Sequence, residues 1–193
     1  DVPLVVFILV TSQVFVVPLK RFDLAKNRLR LGDVVGVSEL ARDLATRVIR
    51  SCLPQHVIVL SESSGITNFA RSLGVEVLES SSANLNEAVQ GAYDRLASRF
   101  ERLVVVHGDL QDPSGLHEFD PADGVTIVTD HHARGTNVLA LPTGINFHFH
   151  YGASSAIAHE REAMRLGLVT HLITDSPWRF DVDEPADLHR GNL

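Results

Sequence analysis

Cysteine is almost absent: Cys52 is the one thiol among 193 residues. A single thiol cannot build an internal disulfide framework, and no cysteine pair exists for a zinc knuckle. That usage suits a reducing cytoplasm. Basic runs are missing too. Lys and Arg number 17 against 24 Asp and Glu, for a formal net charge of −7 and a pI near 5.8, which argues against a general nucleic-acid binder. Residues 3–10 are strongly apolar but too few to span a bilayer. They also lack the basic start of a signal peptide, and no clear cleavage site follows. Residues 1–12 are therefore set apart as an extra N-terminal segment, and no membrane partner is expected. No glycine-rich phosphate loop of the P-loop or dinucleotide type occurs, and no Gly-x-Ser-x-Gly elbow. Cys52 falls on a predicted buried helix, so covalent catalysis is not expected.

What is present points to one α/β domain, assigned to residues 13–193 and long enough for a core without staples. Short apolar, largely β-branched runs recur at 14–17, 57–60, 75–78, 104–106, 125–129, 137–141 and 169–174. Apolar runs without alternation suit strands buried on both faces, as in a parallel sheet covered by helices. Pro18 is expected to stop the first strand. Between the strands lie helical patterns. Ser38 is placed to cap a helix over 39–51, with Leu40, Ala41, Leu44, Ala45, Val48 and Ile49 at helical spacing. A short helix over 65–72 stops at Gly74. Asn84 opens a helix to about residue 100, with Glu87 three residues on as in a capping box, and a last helix covers 155–166. This rhythm predicts a single three-layer, doubly wound domain with a mostly parallel, mixed sheet.

Chemistry-bearing residues gather after the strand ends. The central run leads into His107-Gly108-Asp109-Leu110, and a carboxylate just past such a strand lies where open α/β folds bind ligands. Asp109 capping the next turn is the plainer alternative. A second acidic cluster, Phe180-Asp181-Val182-Asp183-Glu184-Pro185, gains meaning if the two meet in space. In a strand-like Asp-Val-Asp the outer carboxylates face one side. After the first strand, Lys20, Arg21, Lys26, Arg28 and Arg30 put five cations within about ten residues, which suits a polyphosphate or a solvated loop. Asn86 would lie in the first turn of its helix, with an amide free to read a ligand or simply at the surface. Gly135-Thr136 heads a strand and can offer N–H groups and a hydroxyl to an anion. Tyr151-Gly152-Ala153-Ser154-Ser155 leads into the last helix, whose N-terminus favours anions. The ten histidines include His131-His132 in a loop and His148 with His150 on one face of an extended stretch. Neither pair has a cysteine partner or the helical spacing of a zinc protease, and both are read as incidental.

Taken in order, these residues resemble one family. Val17-Pro18-Leu19-Lys20 with Ala25-Lys26-Asn27-Arg28-Leu29, Leu85-Asn86-Glu87-Ala88, Gly108-Asp109-Leu110, Gly135-Thr136-Asn137, Tyr151-Gly152-Ala153-Ser154-Ser155 and Asp181-Val182-Asp183-Glu184-Pro185-Ala186-Asp187-Leu188 carry the likeness. They are similar to the guanylyltransferases that make the deazaflavin coenzyme F-420. Three positions depart from the family pattern. The central Pro-Ala-Asp-Leu-Pro is His107-Gly108-Asp109-Leu110-Gln111, a glycine before Gly135 is Arg134, and a glycine before Leu85 is Asn84. The carboxylates are all retained, and the departures bear on which acceptor and which base are used.

The resemblance implies a Rossmann-like nucleotidyltransferase fold. It also implies GMP transfer from GTP to 2-phospho-L-lactate, phosphoenolpyruvate or 3-phospho-D-glycerate, with release of pyrophosphate. Such chemistry needs charge neutralised on the α-phosphate and the leaving pyrophosphate. Magnesium prefers a few carboxylates plus phosphate oxygens. By resemblance, Asp109, Asp181 and Asp183 hold magnesium, as two ions, and count with Lys20 as catalytic. Pro18, Leu19, Lys20, Lys26, Arg28 and Gly108 meet the nucleotide, with Asn86 near its base. Thr136, Gly152 and Ser155 hold the acceptor. Its phosphate is already ionised at neutral pH, so no strong base is required. The expected partners are GTP and a small phosphorylated acid in the cytoplasm, with a homodimer left open. Two alternatives stand beside this reading. A nucleotidyltransferase with another base or a sugar-phosphate acceptor would be separated by a nucleotide panel. A non-catalytic nucleotide-binding relative would bind without magnesium and release no pyrophosphate, but retention of all three aspartates weighs against it.

Overall fold

The structure, a computed structural model, describes residues 11–24, 35–82 and 84–189. Seven strands form one sheet: β1 (Thr11–Leu19), β2 (Val57–Ser61), β3 (Glu76–Glu79), β4 (Phe100–Val106), β5 (Val125–Thr129), β6 (Thr136–Pro142) and β7 (Thr170–Ile173). Their spatial order is β3-β2-β1-β4-β6-β5-β7. Among the described residues four α-helices, α1 (Val37–Cys52), α2 (Ser64–Ser72), α3 (Leu85–Leu96) and α4 (Ser155–Arg165), cover its two faces. Period-two alternation explains the layering. Phe15 and Val17 of β1, with Val104 and Val106 of β4, pack on Ala45 and Ile49 of α1 and Ile66 and Phe69 of α2. Val14, Val16 and Val105 point the other way, onto Val89, Tyr93 and Leu96 of α3 and Ala163 of α4. Both faces of the central strands are therefore dry, and each such aliphatic contributes roughly 1.5–3 kcal/mol.

β6 is antiparallel to both its neighbours, while every other pair is parallel. The link from β5 to β6, residues 130–135, is too short for a crossover, so the chain must turn back as a hairpin. This reversal positions the site. It brings Thr136 and Asn137, at the start of β6, to the edge where β1, β2 and β4 end, and the His107 N–H donates to the Asn137 carbonyl at 3.0 Å.

Several boundaries differ from expectation for identifiable reasons. Pro18 does not stop β1, which runs to Leu19 with Pro18 opposite Leu60. The Phe15 N–H points to β2, donating to the His56 carbonyl at 2.9 Å. By alternation the Pro18 nitrogen faces β4, where pairing has already ended at Val16 and Val105. β1 also begins at Thr11, inside the segment set apart as 1–12, because Thr11 and Gln13 pair with Phe100 and Arg102. Ser38 does not cap α1. Gly36 holds that place in a left-handed conformation, and the Ser38 hydroxyl donates to the Phe22 carbonyl at 3.3 Å. Asn84 does cap α3, accepting from the Asn86 N–H at 2.9 Å. Glu87 does not close a capping box, however; its carboxylate accepts from the Ser82 hydroxyl at 2.7 Å.

After β7 the chain recrosses the sheet edge. The Gln111 N–H donates to Phe180 O at 2.7 Å, the Val182 N–H donates to Asp109 O at 3.1 Å, and Leu110 pairs with Asp181 in an isolated antiparallel bridge. Val182, fully buried, packs with Val37 and Leu44 of α1. That anchor turns the residues on either side of it away from the core.

Candidate active site

Asp109 follows β4, and Asp181 and Asp183 lie on the returning segment with Val182 between them facing α1. The two acidic clusters do meet. One oxygen from each of the three carboxylates lies within 4.8 Å of the others. Burial first, then the charges of Asp109 and Asp183, push the Asp181 carboxyl above its ordinary value, against an opposing pull from His107. Asn137 braces the arrangement, its amide donating to Trp178 O at 3.1 Å and to Asp181 Oδ1 at 3.4 Å. Three hard oxygen donors crowded together suit a divalent cation.

The departures in the central motif have structural partners. A Cβ at residue 108 would fall on the Leu19 side chain, so Gly108 lets β1 and β4 close together under the site. Gln111 uses its backbone N–H on Phe180, which a proline could not do, and its side-chain amide donates to Asp187 O at 3.0 Å. Asp187 in turn accepts from the N–H groups of Asp183 and Glu184, at 3.0 and 2.8 Å. Gln111 thus fastens the segment that carries two of the three carboxylates.

The cleft over this cluster encloses about 440 Å³. Of the residues singled out in the sequence, Pro18, Leu19, Lys20, Gly108, Asp109, Thr136, Gly152, Ser155, Asp181 and Asp183 all line it. Lys26 and Arg28 lie outside the described residues. Asn86 is placed differently from expectation. Its amide is not free: Nδ2 donates to Tyr151 O at 3.0 Å, and Oδ1 accepts from the Tyr151 N–H at 2.5 Å. A residue in the first turn of α3 thereby clamps the loop that leads into α4.

At one end of the cleft, Thr136 Oγ1 accepts from the Ser155 hydroxyl at 3.1 Å, and both residues are buried. Gly152 takes φ 137°, a conformation side chains rarely adopt, with open space where a Cβ would be. The N-terminus of α4 is less open than predicted. Its Ser155 N–H donates to Gly152 O at 3.2 Å and its Ala156 N–H to Arg134 O at 3.0 Å. The Ser155 hydroxyl spends its one proton on Thr136, which leaves the Thr136 hydroxyl as the donor of this pair that can face the cleft. The opposite end is lined by Ser61, the last residue of β2, by Glu62 after it, and by Ser80 and Ser82 after β3. None of these four was singled out, because a serine or a glutamate at a strand end carries no signature of its own.

The histidines set aside in the sequence divide. The rings of His131 and His132 lie 3.8 Å apart, tilted by 41°, in the β5–β6 loop, and the His148 N–H donates to Glu162 at 2.9 Å. His107 lines the cleft, with its ring 5.4 Å from that of Tyr151. His159 is wholly buried behind Thr136 and Ser155, and sequence reasoning missed it. Its signal was the spacing, since Ser155 and His159 are four apart and share a helix face. Burial pushes the Cys52 thiol up to about 12, so it supplies no thiolate.

Comparison with known proteins agrees with this geometry. The family described as "Guanylyl transferase CofC like" matches residues 13–191. The phosphoenolpyruvate guanylyltransferase of Chloroflexus aurantiacus is 31% identical over 91% of this chain and 92% of its own length. The 2-phospho-L-lactate guanylyltransferase of Methanothermobacter thermautotrophicus is 28% identical over 90% and 81% of the two chains. The 3-phospho-D-glycerate guanylyltransferase of Colwellia psychrerythraea is 28% identical over 90% and 88%. Among solved structures, a nucleotidyl transferase from Methanothermobacter thermautotrophicus shares the fold, with a TM-score of 0.59 at 13% identity over 92% of this chain and 94% of that one. With the family match spanning nearly its whole length, the chain belongs to the CofC-like guanylyltransferase family.

Proposed function

We propose that this chain transfers the GMP moiety of GTP to a small phosphorylated three-carbon acid, releasing pyrophosphate, as a step in making coenzyme F-420. One observation carries the reading: a single cleft sets three carboxylates beside the hydroxyl pair of Thr136 and Ser155 and the bare backbone of Gly152. A cation-holding centre next to an anion-binding corner is what joining two phosphate-bearing molecules requires. Family membership supports GMP as the group moved. A cytoplasmic setting belongs to the same reading and is supported by the one free, buried cysteine.

Asp109, Asp181 and Asp183 fit magnesium, as two ions in the full reading, because they offer only carboxylate oxygens in a tight group. When bound, the metal neutralises charge on the phosphate oxygens. The remaining work falls to the chain itself. Lys20, just past β1, offers its ammonium to the triphosphate, and the same role is assigned to Lys26 and Arg28. Pro18, Leu19 and Gly108 form a floor that lets the nucleotide lie close to the backbone. Its base points toward Ser61, Glu62, Ser80 and Ser82, and Asn86 acts through Tyr151 rather than on the base. Thr136, Ser155 and Gly152 hold the acid so that a phosphate oxygen faces the α-phosphorus. A bond forms between them as the bond to the pyrophosphate oxygen breaks. The attacking phosphate oxygen of the acid is already ionised, so no side chain has to take a proton.

The test is pyrophosphate release with magnesium, crossing GTP, ATP, CTP and UTP with phosphoenolpyruvate, 2-phospho-L-lactate and 3-phospho-D-glycerate. The expected result is release with GTP and one of these acids, lost in Asp109→Ala. Release with another nucleotide, or none while GTP still binds, overturns the reading.

A further inference from the structure

Behind the acceptor corner lies a chain of buried polar contacts that ties Thr136 to His159, a residue the reaction as described does not use. The His150 backbone N–H donates to His159 Nε2 at 2.9 Å, and His159 Nδ1 lies 3.1 Å from Thr136 Oγ1. Thr136 Oγ1 also accepts from the Ser155 hydroxyl at 3.1 Å. His159 has no solvent exposure and Thr136 and Ser155 very little. Around the imidazole stand the rings of Phe147, Phe149 and Tyr151, with centroids 6.0, 6.5 and 4.9 Å away.

The polarity of this chain can be followed atom by atom. A backbone N–H can only donate, so Nε2 must be the acceptor nitrogen of the ring. Burial, with the charges of His150 and His107, pulls His159 down to about 3, although Glu162 opposes this. The ring is therefore neutral at ordinary pH, and its one proton sits on Nδ1. Nδ1–H then donates to Thr136. Two donors now occupy the oxygen of Thr136, one from His159 and one from Ser155. Its own proton has no inward acceptor left and is directed toward the cleft that Thr136 lines.

We infer that His159 is a positioning residue that makes Thr136 an obligate hydrogen-bond donor to an anionic oxygen of the acceptor acid. This inference rests on the acceptor assignment above. It commits the corner to phosphate or carboxylate, which only accept, over a hydroxyl that would itself need to donate. Without the imidazole, the Thr136 hydroxyl can rotate inward and the corner loses its fixed sign.

Two substitutions separate polarity from packing. In His159→Asn the amide nitrogen stands near the place of Nδ1 and can still donate to Thr136. In His159→Gln the amide reaches the place of Nε2 and leaves Thr136 without that donor. His159→Gln should raise KM for the acid by about tenfold or more, the size expected for one charge-assisted hydrogen bond. KM for GTP should stay within about twofold of wild type, and His159→Asn should recover most of the loss. Equal losses in the two variants, or KM values for acid and GTP rising together, would overturn the inference. A second measurement is independent of turnover. Nitrogen NMR of the 15N-histidine-labelled wild-type chain, with His159 assigned by its absence from His159→Asn, should show the Nδ1–H tautomer; the Nε2–H tautomer overturns the relay. If no acid turns over in the wild type, the acceptor assignment fails, while the tautomer still decides the relay.

Discussion

The two ends of the cleft are built differently. At the proposed acceptor end the side chains sit on a strand and a helix, and each is held from behind: Thr136 by His159 and Ser155, the Tyr151 loop by Asn86. At the proposed nucleotide end Lys20 and Glu62 are exposed on loops that follow β1 and β2. A group fixed before its ligand arrives loses little freedom on binding and discriminates sharply, whereas a loop side chain contributes charge with looser geometry. The difference suits a corner that must tell one small acid from another, opposite a wall that meets a large, highly charged donor with many contacts. It also separates what substitutions at each end should do.

The largest effect is expected where the ends meet. Asp181→Asn should lower the rate of pyrophosphate release by about a thousandfold, the order seen when one centre of transition-state charge stabilisation is removed. In EDTA the same variant should melt higher than wild type, by about 2–4 °C for each kcal/mol of relieved repulsion. A lower melting temperature would show that the carboxylate braces the fold. Next, Thr136→Val should raise KM for the acid about 10- to 100-fold and leave KM for GTP unmoved. Lys20→Met should do the converse, raising KM for GTP about tenfold with the acid unaffected. If either variant moves both constants together, the two ends are not separate. A pH series probes the support of α4. The Arg165 guanidinium, chiefly by hydrogen bonding, holds the Glu162 carboxyl down to about 2 from 4.5, despite the opposing cost of burial. Its stabilisation is therefore complete above about 4.5 and is lost as pH falls from there toward 2. Glu162→Gln should accordingly flatten the acid limb of melting temperature against pH. The smallest effect is expected at Tyr151, whose buried hydroxyl has no hydrogen-bond partner among the described residues and whose burial raises its pKa. Tyr151→Phe should leave melting within a degree or two. A rise in KM for the acid would extend the wired corner to that hydroxyl.

Strand positions are legible in the sequence because residues buried on two faces must be apolar at every step, as at Val104–Val106 and Val57–Leu60. Strand direction is not. Nothing in residues 137–141 distinguishes an antiparallel strand from a parallel one, and the short link before β6 was the usable clue. The carboxylates, Thr136 and Ser155 are legible because each follows or heads a regular element at the edge where open sheets bind ligands. Residues that act through another residue leave a weaker mark. Asn86 looks like a ligand reader because its helix position is right, and only the fold shows its amide engaged by Tyr151. His159 resembles any helix histidine until β6 brings Thr136 against it. Gln111 stands out as a departure from the family motif, but its meaning depends on a segment some seventy residues later.

That returning segment has a consequence for synthesis. Asp181 and Asp183 reach the site only when residues 180–187 lie across the end of β4, after the seven described strands have been made. A nascent chain emerging from the ribosome can therefore fold its sheet and seat its helices while its phosphate chemistry is still incomplete. The carboxylate cluster is therefore completed only once residues 180–187 have been made, later than the sheet on which it sits.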